Sequence, residues 1–512
     1  MAAGGVRGLV PLLAFLGVMA YSLSMAVVTP ALPQIQDGLR TTPAGAAWSL
    51  TAMTLSAAVA TPVVGRLGDL HGPRRVLLAV LLVSVAGMVV AAVATTVPVM
   101  LAGRALSGIG GGVFPLAYTI IRDVVPPART ASAIGLMSSM LGLGGAVSWC
   151  LAGPIIDLLG WRWLLWVPVA GLAPGVALAW WIVPHAAPRK AAKVDWYGAA
   201  LFAAWLVAAL TALTQGMDWG WTSPGVLGLL ALSAATLGAW LWVEGRVRAP
   251  LVDLRLMRVR GVWTANAASL LSGYALMAGG LLFPLLVQLP AGTGYGFGGT
   301  ATQAALLQLP ASVGMTLAGM TAGLLDRRFG SRTVLLGGAL TTGLGYAFVA
   351  VQHAAMWQLY VGGLARGIGL GFAYAAVANL VVAAVPAGET GVATGINTLV
   401  RTVGASLGTQ ISAVVVAGVP GDAGYTAGFA VSAAVTAAVV PLALLAPRRG
   451  RRGRRGPGAG KRNGARREAG PRPDGACGSE RLDGAARLRV EDAPADQLFG
   501  QLGRGLVIDD RE

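Results

Sequence analysis

The sequence predicts an all-α membrane protein made of two related halves, and three observations carry that prediction. The first is composition. The chain has 512 residues, of which 55% are hydrophobic and only 12% charged, with a mean hydropathy of +0.68. A soluble chain this apolar could not cover its own surface, so lipid is the solvent for most of it. The second is a series of fourteen apolar runs, each near the length of about 20 residues that crosses a bilayer as a helix. The third is a repeat. Gly65-Arg66-Leu67-Gly68-Asp69-Leu70-His71-Gly72-Pro73-Arg74-Arg75 lies between two apolar runs, and its relative Gly323-Leu324-Leu325-Asp326-Arg327-Arg328-Phe329-Gly330-Ser331-Arg332 lies between two later ones. Each copy is followed by an arginine inside an apolar run, Arg104 and Arg366, so two independent marks share nearly one offset. Internal repeats of this kind are how many secondary transporters are built.

The runs fall at 9–30, 46–64, 76–97, 99–121, 131–153, 163–183, 197–214, 225–243, 262–284, 303–323, 333–351, 356–382, 390–418 and 425–446. The first is too long for a secretory signal and is followed by Pro30 and Pro33 with no clear cleavage site, so it reads as a span. With the N-terminus placed in the cytoplasm, the inside loops from Arg66 to Arg332 hold sixteen Lys and Arg residues. The outside loops hold only Arg40 and Arg162. That asymmetry sets the orientation, and its unbroken alternation supports an even number of spans. The outside connections carry Trp161, Trp163, Trp219, Trp221, Trp357 and Tyr360, rings that favour the headgroup level.

Matching runs one to six with runs nine to fourteen divides the chain. Residues 1–183 form an N-terminal six-helix bundle, 184–196 a cytoplasmic linker, 197–243 two inserted central helices, and 244–446 a C-terminal six-helix bundle. Residues 447–512 change character abruptly: 448–467 alone contain ten Lys or Arg among Gly, Ala and Pro, and account for much of the net charge of +17. This segment cannot bury a core and reads as a disordered basic cytoplasmic tail. A basic run directly after a span is a topology anchor and a contact for anionic lipid, rather than a nucleic-acid site. Two cysteines, Cys150 and Cys477, imply no disulfide framework, and the three histidines show no metal-ligand spacing.

These motifs together resemble the major facilitator superfamily, and within it the 14-helix drug:proton antiporter branch. Gly65-x-x-x-Asp69-x-x-Gly72-x-Arg74-Arg75 resembles the signature loop between helices 2 and 3, and Leu101-x-x-Arg104-x-x-x-Gly108 the helix 4 motif. Ala31-Leu32-Pro33, Trp161-Arg162-Trp163, Pro250-Leu251-Val252-Asp253-Leu254 and the pair Asn397 and Arg401 match further marks of that branch in order. The resemblance covers residues 9–446. It implies two pseudo-symmetric six-helix bundles rocking about a central cavity, with two inserted helices, fourteen transmembrane helices in all. It also implies export of drugs, antibiotics or secreted metabolites (multidrug or antibiotic resistance), driven by the proton gradient with no other cofactor.

The candidate site residues follow. The resemblance implies that Gly65, Asp69, Gly72, Arg74 and Arg75, with Asp326 in the second copy, form a conformational latch, where the residues alone also allow a simple basic cytoplasmic turn. The glycines permit close approach and a tight turn, and Asp69 can meet the positive N-terminus of a partner helix beginning near Gly391. Arg104 is an intramembrane charge, which is expensive and therefore informative. It can bind an anionic substrate group, bond carbonyls and hydroxyls, serve a water-linked proton relay, or snorkel to the outer surface. No Asp or Glu lies deep in any run, and Ser24 stands where the related antiporters carry Asp. Helix 5 has Ser148-Trp149-Cys150 where that branch has Gly or Pro, so Trp149 either crowds a helix contact or projects into the cavity. Tyr21, Ser24, Thr29, Tyr274, Asn397 and Arg401 complete the pathway candidates; Arg366 echoes Arg104 or serves helix packing.

The expected protein is thus no enzyme. It is a multi-pass inner-membrane carrier with both termini cytoplasmic, acting as a monomer on a small molecule, with no metal and no nucleic-acid partner. Uptake or uniport of a metabolite by the same fold is the alternative. No Gly-x-x-x-x-Gly-Lys-Ser/Thr loop is present, so a self-contained ATP pump is unsupported.

Overall fold

The computed structural model describes residues 15–25, 28, 31–182, 195–247, 252 and 254–447. Residues 184–194 of the expected linker 184–196, Thr29, Pro250, Leu251, Asp253 and the tail from 448 onward lie outside these residues. The described chain is mainly helical and forms one compact unit.

The long helices are α1 (Phe15–Met25), α2 (Pro43–His71), α3 (Pro73–Ala92), α4 (Val97–Val124), α5 (Pro127–Leu159), α6 (Trp161–Ile182), α7 (Trp196–Trp219) and α8 (Pro224–Glu244). There follow α9 (Arg260–Gln288), α10 (Ala301–Phe329), α11 (Ser331–Val351), α12 (Met356–Ala384), α13 (Thr390–Gly418) and α14 (Asp422–Ala437, continued by Val439–Leu445). Twelve of them are long and apolar enough to cross a membrane. The described part of α1 is shorter, and α6 is an apolar helix of 22 residues.

Local chemistry sets the boundaries. Thr42 caps α2 by accepting from the Gly45 amide, and Thr300 closes a reciprocal capping box with Gln303 at α10. Gly72 ends α2 at φ +93° and Gly330 ends α10 at φ +84°, backbone that an L side chain adopts only with strain. These are the equivalent turns of the two sequence repeats. Within the fourth run the helix tightens to a 3₁₀ turn at Ile109–Gly112, where glycines press α4 against Ala57 and Val64 of α2.

The packing repeats as well. In the N-terminal half α4 packs on α2 and α3, and α3 on α6; in the C-terminal half α12 packs on α10 and α11, and α11 on α14. The halves meet along two seams, α5 with α10 and α2 with α13. Small residues allow both. Gly135 faces the backbone at Gly319, Gly142 faces Ser312 and Thr316, and Gly323 faces Ser132. The pair α7 and α8 lies beside the second seam, where Phe202, Leu206 and Trp240 join Ala58 of α2 and Val392 of α13 in one apolar cluster. Large apolar residues such as Leu230, Leu317 and Leu344 remain exposed, a surface that only lipid would cover. Trp163, Trp219, Trp221 and Trp357 are exposed near helix ends, whereas Trp161 is buried.

Candidate functional site

At one end of the α2–α13 seam the halves are joined. Asp69 is only 6% exposed, and its carboxylate accepts from two successive backbone amides at the start of α13: Gly391 to Oδ1 at 3.1 Å and Val392 to Oδ2 at 3.1 Å. These amides have no carbonyl to donate to within their own helix, and a carboxylate satisfies both while meeting the positive end of the dipole. The approach depends on glycine: a methyl group on Gly65 would sit on the Gly391 carbonyl, and Gly395 lies against Pro62 and the Thr61 carbonyl. Arg122, at the end of α4, donates to Thr390 Oγ1 at 2.6 Å and so ties the same helix start to the N-terminal half. In sequence it reads only as a topology-setting charge. Arg74 and Arg75 sit at the start of α3 with no hydrogen bond or ion pair to another described residue. Asp326 is buried too, and accepts from Ser331 Oγ of the next helix.

Away from that joint the seams part around two adjoining chambers. One has a volume of about 240 Å³ and is walled by α1, α2, α4, α5, α7, α9, α12 and α13. The other has about 430 Å³ and lies between α1, α2, α4, α5, α9, α10, α12 and α13. They share Met25, Leu50, Thr54, Leu141, Leu276, Met277 and Thr409, so they are two parts of one central space. Among the described residues neither wall includes an Asp or Glu, while Arg401 lines the first and Arg104 and Arg366 line the second.

Arg104 is fully buried, which excludes snorkelling to the surface. Its guanidinium bonds the Ser24 carbonyl through Nη1 and Nη2 at 3.2 Å each and the Ser24 hydroxyl at 3.1 Å; Nε donates to the Ser49 carbonyl at 3.2 Å. The guanidinium is therefore held by neutral acceptors on α1 and α2, and Ser24 supplies a hydroxyl and a carbonyl where the related antiporters place a carboxylate. Arg366 repeats the arrangement. It reaches from α12 to the Leu276 carbonyl of α9 at 3.1 Å and to Gln308 Oε1 of α10 at 3.0 Å, with its guanidinium 5.2 Å from the Phe283 ring centre. Each arginine thus pins its helix to the first and second helices of its own half.

The remaining candidates separate. Tyr21 and Arg401 line the first chamber and Trp149 the second, so Trp149 borders the cavity. Asn397 does not line either chamber: it accepts from Ser269 Oγ at 2.9 Å and donates to Asn266 Oδ1 at 2.9 Å, a polar clamp between α9 and α13. Tyr274 also lies off both walls, buried in the α9–α13 packing where its carbonyl meets Gly408. Hydropathy marks a residue as intramembrane, but the rotation and depth of its position in the helix decide what it faces. Tyr374, Phe114 and Gln308, which no sequence motif singles out, are wall residues.

The comparisons agree with this architecture. The sequence profile of the Major Facilitator Superfamily matches residues 14–409 and again 269–481. An uncharacterized MFS-type transporter of Mycobacterium tuberculosis is 31% identical over 368 residues, 69% of this chain and 52% of that protein, so the chain matches about half the length of that relative. Multidrug resistance protein 3 of Bacillus subtilis is 25% identical over 364 residues, 70% of this chain and 69% of its own. The uridine/deoxyuridine transporter of Lactococcus lactis is 28% identical over 379 residues, 71% of this chain and 77% of its own. The crystal structure of the human organic anion transporter MFSD10 superposes with a TM-score of 0.64 at 15% identity, over 85% of this chain and 99% of that one, a likeness of fold. The chain belongs to the major facilitator superfamily of membrane transporters, and resembles its drug-efflux type.

Proposed function

We propose that this protein is a secondary active transporter that exports hydrophobic or amphipathic small molecules, such as a drug, an antibiotic or a secreted metabolite, in exchange for protons. The observation that carries the reading is the central space between the halves, closed at one end by Asp69 on the start of α13. Such a space, exposed alternately to the two sides, is what alternating access requires. In this reading fourteen spans place both termini in the cytoplasm of a cell whose inner membrane holds the protein as a monomer. Residues 1–183 and 244–446 rock as two bundles. Gly65, Asp69, Gly72, Arg74, Arg75 and Asp326 act as the latch of the outward-open state. Export draws support from the relative named a multidrug resistance protein, and proton coupling from the resemblance of the motifs at 65–75 and 101–108.

A second reading, uptake or uniport of a metabolite, is favoured by the chamber walls, which present no carboxylate among the described residues to carry a proton. The relative named a uridine/deoxyuridine transporter points the same way. The sign of accumulation separates the two. In a host lacking its own pumps, export predicts that cells making the protein hold less of a fluorescent amphipath than cells making Arg104→Ala, and that a protonophore removes the difference. Greater accumulation in cells making the intact protein would favour uptake and contradict export.

A further inference from the structure

Arg401 is the one arginine of the central space whose guanidinium has no hydrogen bond to a described residue. It lies between two rings, 4.9 Å from the centre of Tyr374 and 5.4 Å from the centre of Phe114. Phe114 in turn meets Tyr21 in a T-shaped contact, with ring centres 5.8 Å apart and planes at 88°. Ring faces attract a cation but carry no net charge, so the positive charge on the wall stays uncompensated. The second observation is independent of it. Tyr374 is 4% exposed, lines the same chamber, and its hydroxyl is buried with no hydrogen-bond partner. A buried hydroxyl without a partner is costly, and so is a lone intramembrane cation. Both costs are removed by one ligand group, an anionic oxygen. Several neighbouring polar groups are already engaged: Thr398, Thr402 and Thr409 each donate back to a carbonyl of their own helix, and Gln410 donates to the Thr214 carbonyl.

We propose that Arg401 and Tyr374 form an anion subsite, and that the substrate is an aromatic small molecule bearing a carboxylate or an ionised phenol. The guanidinium and the phenol would donate to the anionic oxygen, while Tyr21, Phe114, Met25 and Leu210 pack on the ring system. The assignment rests on the reading of this chamber as the substrate path, and it deepens that reading by giving the charge of the cargo.

Two dyes of one tricyclic skeleton test it: fluorescein, with a carboxylate and a phenolate at neutral pH, and rhodamine 123, a cation. Fluorescence polarisation with the full chain in lipid nanodiscs is expected to give at least about tenfold tighter binding of fluorescein. Arg401→Gln is expected to weaken fluorescein by about tenfold or more, Arg401→Lys by less, and Tyr374→Phe by about threefold, none of them weakening rhodamine 123. Intact protein that binds both dyes alike, prefers the cation or binds neither overturns the subsite. So does unchanged fluorescein binding by Arg401→Gln. The comparison of dyes on intact protein needs no variant to fold. An anion preference in nanodiscs without outward movement of either dye in cells would leave the subsite standing and remove export. Export of rhodamine 123 without an anion preference would do the reverse.

Discussion

Asp69→Asn removes half of the joint between α2 and α13 while changing hardly any volume. The carboxylate accepts from two amides, Gly391 and Val392. The carboxamide keeps one acceptor and turns an N–H₂ toward the other amide, so one charge-assisted bond is lost outright and the other becomes neutral. Bonds to a charged group contribute about 1.5–3 kcal/mol each, so the joint weakens by at least about 2 kcal/mol. That is about a 30-fold shift in the balance between joined and parted seams: a parted state held by about 1% of molecules rises to about a quarter. Spin labels at His71→Cys and Gly388→Cys, exposed positions flanking the joint, in a background with Cys150 and Cys477 replaced by Ser, would report the two populations as distances. A new long-distance population in Asp69→Asn is expected. An unchanged distance distribution in folded Asp69→Asn would refute the reasoning, because the carboxylate would then not be what holds the seam.

Other perturbations follow from the same geometry. Gly65→Leu places its side chain on the Gly391 backbone, which cannot rotate away, so the same spin-label pair should report a parted seam; Gly337→Ala, which meets open space, should leave it joined. Arg104→Met leaves the inward carbonyls of Ser24 and Ser49 without their donor and should lower thermal stability by about 2 kcal/mol or more, read as a melting shift in detergent, with Arg104→Lys recovering part. Asn397→Leu breaks the clamp to Ser269 and Asn266; it should cost about 1–3 kcal/mol of stability while leaving dye affinity in nanodiscs unchanged, and a changed affinity with normal stability would return Asn397 to the substrate wall. Tyr346→Phe removes the buried bond to the Ala275 carbonyl and should lower the melting point by the equivalent of about 1 kcal/mol.

Much of this was legible in the chain, because lipid leaves few ways to satisfy a backbone. Apolar runs must be helices, and each of the fourteen runs overlaps a described helix, twelve of these helices being of spanning length and apolarity. Charges within them are rare enough that Arg104 and Arg366 mark the repeat, and the structure gives both the same anchoring role. The partner of Asp69 was readable because a carboxylate at a helix end, flanked by glycines, suits another helix's N-terminus. What stayed hidden depends on where along and around its helix a residue sits. Asn397 and Arg401 are one turn apart on the same side of α13, yet one clamps α9 and the other faces the chamber, a difference of depth that no periodicity reports. Arg122 was hidden by being ordinary, one loop arginine among many until α13 is brought against it. Tyr374 belongs to no motif and becomes conspicuous only when its hydroxyl is found buried and unpartnered beside Arg401.

The most direct test of the transport reading is flux in proteoliposomes holding the purified full chain, with fluorescein at equal concentration on both sides and a pH gradient imposed in either direction. Proton-coupled export predicts that dye moves against the proton flow, that reversing the gradient reverses the net movement, and that an ionophore collapsing the gradient abolishes it. Dye movement at one rate in both directions, indifferent to the gradient, would contradict proton coupling and leave a uniporter in its place.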